Sequence, residues 1–240
     1  LDKVYHYNKG LFIRRRSAVC GRYSLAIDAV MFAKYFNMGT EGLDFHLRYN
    51  IAPGQLAPVI SSIEGKRALS NMQWGLRPDW LREKQGSKIL INARAETLRS
   101  KPTFRRSFEH RRCLIPADGY YEWIKNKGVK TPYRIILPNA PVFAFAGIWD
   151  FYTDDRGTGK PSFCIITVAA SRQIQNIHPR MPAILPDARS MDRWMGTASP
   201  ATSLLDILKP YEGRLDFFPV SSVVNSPKIN GPECIKRVTL

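Results

Sequence analysis

Apolar positions along this 240-residue chain fall in short runs, most of them too brief and too rich in β-branched and aromatic residues for helices. Seven such runs predict strands: Ala57–Ile63, Ala68–Trp74, Arg112–Trp123, Tyr133–Leu137, Val142–Tyr152, Phe163–Ala169 and Leu215–Val220. Helical spacing is rarer. Leu25–Asn37 predicts a helix capped by Ser24, with apolar positions at Ile27, Val30, Met31 and Tyr35 and an end near Gly39. Further helices are predicted over Thr103–Glu109, Ala188–Met195 and Ala201–Leu208, the last with Ser199 as cap and Pro200 in its first turn. Strands that do not alternate with long helices indicate an α+β protein with a mixed or barrel-like sheet. No repeat, low-complexity block or Pro/Gly/Ser linker divides the chain, so one domain is expected.

Composition narrows the function classes. With 44% hydrophobic and 23% charged residues, the chain has the balance of a globular protein that buries a core. No apolar run approaches the roughly 20 residues that span a bilayer. The basic patch near the start follows Leu11–Ile13 where a secretory signal would precede its apolar region, so a cytoplasmic protein without membrane attachment is expected. Lys and Arg outnumber Asp and Glu 36 to 20, for a net charge of +16. A field of that size draws polyanions and favours a nucleic-acid partner.

Of the four cysteines, none forms a C-x-x-C pair or lies at zinc-finger spacing from a histidine, so neither a metal nor another cofactor is expected. Cys113 and Cys164 lie inside apolar runs, where a thiol acts as a small hydrophobe. Cys20 differs. It sits beside Gly21 and Arg22 outside any apolar run, where the cation is expected to favour its thiolate.

Four short stretches carry polar groups that apolar strands do not need: Cys20–Tyr23, Asn92–Thr97, Ala117–Trp123 and His178–Pro182. Taken singly, each has a structural reading. Asn92 would cap a helix that Arg94–Thr97 begins, Glu122 would be an exposed strand residue, and His178 an ordinary loop histidine. Taken together, and with RYNIAPG at Arg48–Gly54 and W-G-L-x-P-x-W at Trp74–Trp80, they form six ordered motifs. That set closely resembles the SOS-response-associated peptidase family, from Cys20 to about Pro182, and six motifs in order are far more specific than any one.

The resemblance implies a sensor of abasic sites in single-stranded DNA, acting as a monomer. In such proteins the cysteine becomes N-terminal, and its amine attacks the aldehyde of the opened sugar. The thiol then closes a thiazolidine ring. An α-amine has a pKa of about 7.7–8.0 against about 10.4 for lysine, so its nucleophilic form is far more abundant at neutral pH. By the same resemblance, Cys20, Asn92, Glu122 and His178 form the catalytic set. Asn92 would hydrogen-bond the sugar, Glu122 would shuttle protons from a desolvated cleft, and His178 would donate to the ring oxygen. The DNA contacts implied are Arg22, Asn50, Pro53, Trp80, Arg94, Lys101, Thr167 and Arg180. The arginines would meet phosphates, Trp80 would stack on a base and Pro53 would wedge between bases. Arg99, Lys101, Arg105, Arg106, Arg111 and Arg112 are expected to add a wider basic surface, whereas Trp74 is expected in the core.

Nineteen residues precede Cys20 here, and they divide the chain into an extension, 1–19, and the domain proper, 20–240. Three origins compete. Val19 would be a GUG start, preceded by Arg14-Arg15-Arg16 encoded from a purine-rich ribosome-binding site. Otherwise the extension is removed by autoproteolysis, or it persists and leaves a DNA binder without crosslinking. Two other functions stand beside the sensor: a thiol peptidase using Cys20, His178 and Glu122, and a non-covalent single-stranded DNA-binding module. Weak lyase activity would accompany an imine.

Overall fold

Strands with one apolar face need a second layer to cover them, and in this chain the main sheet supplies its own cover by closing on itself. The structure is a computed structural model that describes residues 20–39, 46–63, 65–77, 89–126, 128–154, 156–196 and 201–239. The described elements run β1 (Tyr23–Leu25), α1 (Ala29–Phe36), β2 (Arg48–Ile51), β3 (Leu56–Ile63), β4 (Lys66–Trp74) and β5 (Asn92–Arg94). They continue with α2 (Pro102–His110), β6 (Arg112–Ala117), β7 (Gly119–Asn126), β8 (Val129–Ile136), β9 (Phe143–Thr153) and β10 (Gly159–Ala169). The last are β11 (Arg180–Pro182), β12 (Ile184–Leu185), α3 (Ala188–Met195) and β13 (Asp216–Pro219).

Pairing in the order β10-β4-β3-β6-β9, with β9 returning to β10, closes five strands into a barrel. Closure removes the exposed edges that open sheets must protect. Trp74, Leu114, Phe143, Phe145, Ile148 and Phe163 are among its fully or almost fully buried side chains. Gly147 is required where β9 passes β6, because a Cβ there would lie 2.5 Å from Ile115 Cδ1 and 2.9 Å from Cys113 Sγ.

β10 forks at its C-terminal half. Ser162 and Phe163 pair with β4, whereas Ile165–Thr167 pair in parallel with β5, and Thr167–Ala169 pair with β11. The fork carries Asn92, Arg94 and Arg180 to the flanks of one strand. A second sheet, ordered β13-β8-β7-β1-β2, leaves the barrel at Asp118, the single residue between β6 and β7. Arg134 on β8 pairs with Asp118 at 3.0 Å and lies so close to Gly119 that a Cβ there would meet its Nε at 2.8 Å.

The α+β class and barrel-like sheet hold, and several boundaries move. The continuous run Arg112–Trp123 is two strands in two sheets, because Asp118 turns the chain. Ser24 lies in β1 and caps nothing; Asp28 caps α1 by accepting from Met31 N at 2.7 Å. That helix buries Phe32, Ala33 and Phe36 and leaves Val30 and Met31 in solvent, so the apolar face predicted from Val30 and Met31 is on the wrong side. Ala201–Leu204 is a 3-10 turn where a longer helix was expected; Ser199 and Pro200 lie outside the described residues. Helices α2 and α3 fall where predicted, α3 with an Asp187/Ser190 capping box. Among the described residues no helix is long and apolar enough to cross a membrane.

The expected basic surface also contracts. Arg111 is ion-paired with Asp150 and lies against the rings of Trp149 and Phe151. Arg112 is buried and donates to the carbonyls of Trp194, Phe108, Glu109 and Gly196 at 2.7–3.0 Å. It locks α2 and α3 to the barrel. Arg112→Met keeps bulk but leaves these carbonyls without their donor, and is expected to destabilise the fold by about 2–4 kcal/mol. The midpoint of guanidinium chloride unfolding measures this; an unshifted midpoint would mean that solvent already serves those carbonyls.

Candidate functional site

The described residues begin at Cys20, which is fully buried, with φ +42° in the left-handed region that non-glycine residues rarely occupy. This turn brings its backbone nitrogen onto Glu122, and the nitrogen donates to Glu122 Oε1 at 2.7 Å. Alternation along β7 puts Tyr120 and Glu122 on one face and Tyr121 on the other. Tyr121 accordingly packs in a separate cluster with Phe218, Val220 and Val224, and its hydroxyl donates to Tyr49 O at 2.6 Å. Tyr23 of β1 is the direct cross-strand partner of Tyr120.

Burial sets the protonation states here. Glu122 is 5% exposed, and desolvation raises its pKa to about 8, with the Cys20 N–H pulling in the opposite direction. Far from being an exposed strand residue, it is a carboxyl group that holds its proton at neutral pH. The Cys20 thiol is likewise pushed well up, first by burial and then by the Glu122 charge. The expected thiolate is therefore overturned: Arg22 turns its guanidinium away, to Asn50 Oδ1 at 2.7 Å and Val224 O at 2.5 Å.

A second group forms around the β10 fork. Asn92 pairs with Ile165 and Arg94 with Thr167, so Asn92 lies in a strand and is not a helix cap. Thr167 is buried and donates through Oγ1 to Ala93 O at 3.4 Å. Arg180 makes a bidentate pair with Glu96 at 2.5 and 3.0 Å and donates to Thr167 O at 2.5 Å. The Arg180 hydrogen bonds hold the Glu96 carboxyl below its usual range. His178 is half-buried, and burial lowers its pKa. Its Nδ1 lies 3.1 Å from the Arg180 amide nitrogen, a donor, and 3.2 Å from Arg180 O, an acceptor, so these contacts serve either neutral tautomer. Arg94 and Lys101 are exposed.

Trp74 stands between the groups. Its indole N–H donates to Ile91 O at 2.9 Å, next to Asn92, and its ring lies 5.2 Å from that of Tyr23. It is fully buried, as expected of a core residue. Asn50 is buried and donates to the carbonyls of Val224, Ser226 and Ile229, so Arg22 and Asn50 jointly tether the C-terminal segment. Pro53 occupies a turn with Gly54 at φ +86°, the Pro-Gly pattern of a type II turn. Trp80 lies outside the described residues. Sequence reasoning missed Glu96, the partner of Arg180, and the two tyrosines; strand alternation back from Glu122 was the signal for Tyr120. Among the described residues no cluster of three His, Cys, Asp or Glu side chains is placed to hold a metal.

A closed barrel flanked by a second sheet, with a buried cysteine–glutamate pair at their junction, defines the class. The chain belongs to the SOS response associated peptidase (SRAP) family, whose profile matches residues 19–227. It is 36% identical over 224 residues to the abasic site processing protein YoqW of Bacillus subtilis, covering 91% of this chain and 99% of that one. The abasic site processing protein HMCES of Gallus gallus is 32% identical over 225 residues, covering 80% of this chain and 66% of that protein. A crystal structure of a protein from Bacteroides thetaiotaomicron superposes with a TM-score of 0.79 at 28% identity, over 92% of this chain and all of that one.

Protonation of Glu122 has a consequence for stability. Its folded pKa of about 8 exceeds the unfolded value of about 4.3, so the folded state binds more protons between them. The associated stability is complete below the lower value and is lost as pH rises through about 8. Glu122→Gln removes this dependence, and its stability relative to wild type is expected to improve steadily from pH 5 to pH 8. Parallel stability profiles for the two proteins over that window would show that the carboxyl titrates normally.

Proposed function

We propose that this protein processes abasic sites in single-stranded DNA by linking itself to the opened sugar through Cys20. The observation that carries this reading is the 2.7 Å hydrogen bond from the Cys20 nitrogen to Glu122. It sets the atom that would be the nucleophile against a buried carboxyl group that can pass protons to and from it. The names of the relatives point to abasic sites as the substrate. The reacting species is the chain that begins at Cys20, close to where the family match starts.

The amine adds to the sugar aldehyde and gives a carbinolamine. Glu122 protonates the carbinolamine hydroxyl, which leaves as water, and an iminium remains. The Cys20 sulfur then bonds to the iminium carbon, and the thiol proton returns to Glu122. A buried, protonated thiol suits this order, since it attacks last. His178 donates to the ring oxygen as the sugar opens, and Asn92 holds the sugar by neutral hydrogen bonds. Arg94 and Lys101 take phosphates, and Arg180 joins them on leaving Glu96. Capture of the iminium by elimination of the 3′ phosphate would give weak lyase activity. A thiolate–imidazolium peptidase has less support, because the hydrogen-bonded neighbour of Cys20 is a carboxyl group and its thiol is held protonated.

Protein beginning at Cys20 is expected to form a heat-stable adduct with abasic single-stranded DNA. Cys20→Ser is expected to give only a labile species, and one residue added before Cys20 to abolish the adduct. His178→Ala is expected to slow formation by about 10²–10⁴-fold, the usual contribution of general acid catalysis. Denaturing electrophoresis reads all four. A stable adduct from the extended protein would refute the aminothiol chemistry.

Non-covalent binding is expected to weaken by about 0.7 log unit per log unit of salt for each phosphate neutralised. Arg94→Ala should reduce that slope without introducing sequence preference. Fluorescence anisotropy against salt checks this, and salt-independent binding would contradict a phosphate-led interface.

A further inference from the structure

Two phenols on the Cys20 face have no role in the chemistry described above. Tyr23 and Tyr120 are both fully buried, and among the described residues neither hydroxyl has a hydrogen-bond partner. A buried polar atom without a partner costs roughly 1–3 kcal/mol, and native structures hold few. Arginine, asparagine and aspartate side chains with one orphaned atom have others to bond through, whereas Tyr23 and Tyr120, like Ser171 just after β10, have a single polar side-chain atom to satisfy. Two such residues directly opposed on neighbouring strands call for a physical reason.

Their position supplies one. Tyr120 is two residues before Glu122 on β7 and shares its face, and Glu122 holds the Cys20 nitrogen. Tyr23 follows Cys20 by three residues and faces Tyr120 across the ladder. The rings are fixed by packing: Tyr23 lies edge-on to Trp74 at 5.2 Å and to Phe145 at 5.8 Å, and Tyr120 edge-on to Phe145 at 5.9 Å. Buried phenols stay protonated, and negative charge on Cys20 or Glu122 pushes Tyr120 further that way. The pair is therefore two rigid, neutral donors on the Glu122 side of the strands, near enough to Cys20 for charge on it to raise both phenols.

We propose that the Tyr23 and Tyr120 hydroxyls form the oxygen-binding end of the Cys20 site, donating hydrogen bonds to the aldehyde oxygen of the substrate. This rests on the covalent reading of Cys20. As the amine adds, the C=O π pair moves to oxygen, which takes the amine proton through Glu122 and becomes the carbinolamine hydroxyl. The phenols stabilise the charge that grows on that oxygen and keep their own protons. Dehydration and ring closure then follow, with water as the only leaving group. Fixed donors aimed at a developing oxyanion need no reorganisation in the transition state, which is why they are effective.

The test uses Tyr120→Phe and Tyr23→Phe in protein beginning at Cys20. Adduct formation with an abasic single-stranded oligonucleotide should slow by about 10²-fold, the loss typical when one such donor is removed. Affinity for the same oligonucleotide carrying a tetrahydrofuran, which has no aldehyde, should not change. The melting temperature should hold or rise, since each substitution deletes an orphaned hydroxyl. An undiminished rate in both variants would overturn the proposal, and so would a slowed rate accompanied by a lowered melting temperature, which marks a structural hydroxyl. Absence of any adduct from the wild-type protein would overturn the covalent reading itself and this inference with it. Adduct from wild type at an unchanged rate in the variants would overturn only the inference.

Discussion

A carboxyl group taken out of water and set against a backbone nitrogen is the constraint on which this architecture turns. Glu122 is carried by β7, which lies in a different sheet from the preceding strand β6. Asp118 makes the break, and its pairing with Arg134 across Gly119 fixes the angle. The left-handed turn at Cys20 then delivers the nitrogen. A raised carboxyl pKa, a protonated thiol and two protonated phenols follow from one cause, the exclusion of solvent from that junction.

The barrel serves the second group of residues. One long strand, β10, changes partners midway, and the change allows two short segments far apart in sequence to present Asn92, Arg94 and Arg180 along its C-terminal half. Trp74 joins the halves through its indole bond to Ile91 and its contact with Tyr23. The bidentate Glu96–Arg180 pair occupies the guanidinium geometry that a phosphate would take. Under the proposed function, protein carboxylate and DNA phosphate would be alternative partners for the same group.

Much of this was legible from pattern, and the exceptions have physical reasons. Strands β6, β9 and β10 were visible because much of each is buried on both faces, which leaves continuous apolar runs such as Phe163–Ala169. The break at Asp118 was hidden inside such a run: one polar residue does not outweigh its apolar neighbours. β5, β11 and β12 are two or three residues long and carry no periodicity at all. Site residues were legible as motifs, but not their states. Adjacency to Arg22 suggested a thiolate at Cys20, whereas tertiary structure spends that guanidinium on Asn50 and Val224. Arg112 looked like surface charge because its bonds are all to carbonyls, which sequence does not display.

The proposed linkage requires that nitrogen and sulfur of one residue, Cys20, both bond to the sugar carbon. Peptide mapping of the DNA adduct by tandem mass spectrometry tests it most directly, after nuclease trimming and alkylation of free thiols. A thiazolidine at Cys20 predicts a peptide beginning at Cys20 that carries the sugar remnant, with the mass of one water lost and a sulfur that resists alkylation. A remnant on a lysine or histidine, with the Cys20 sulfur free to alkylate, would contradict it.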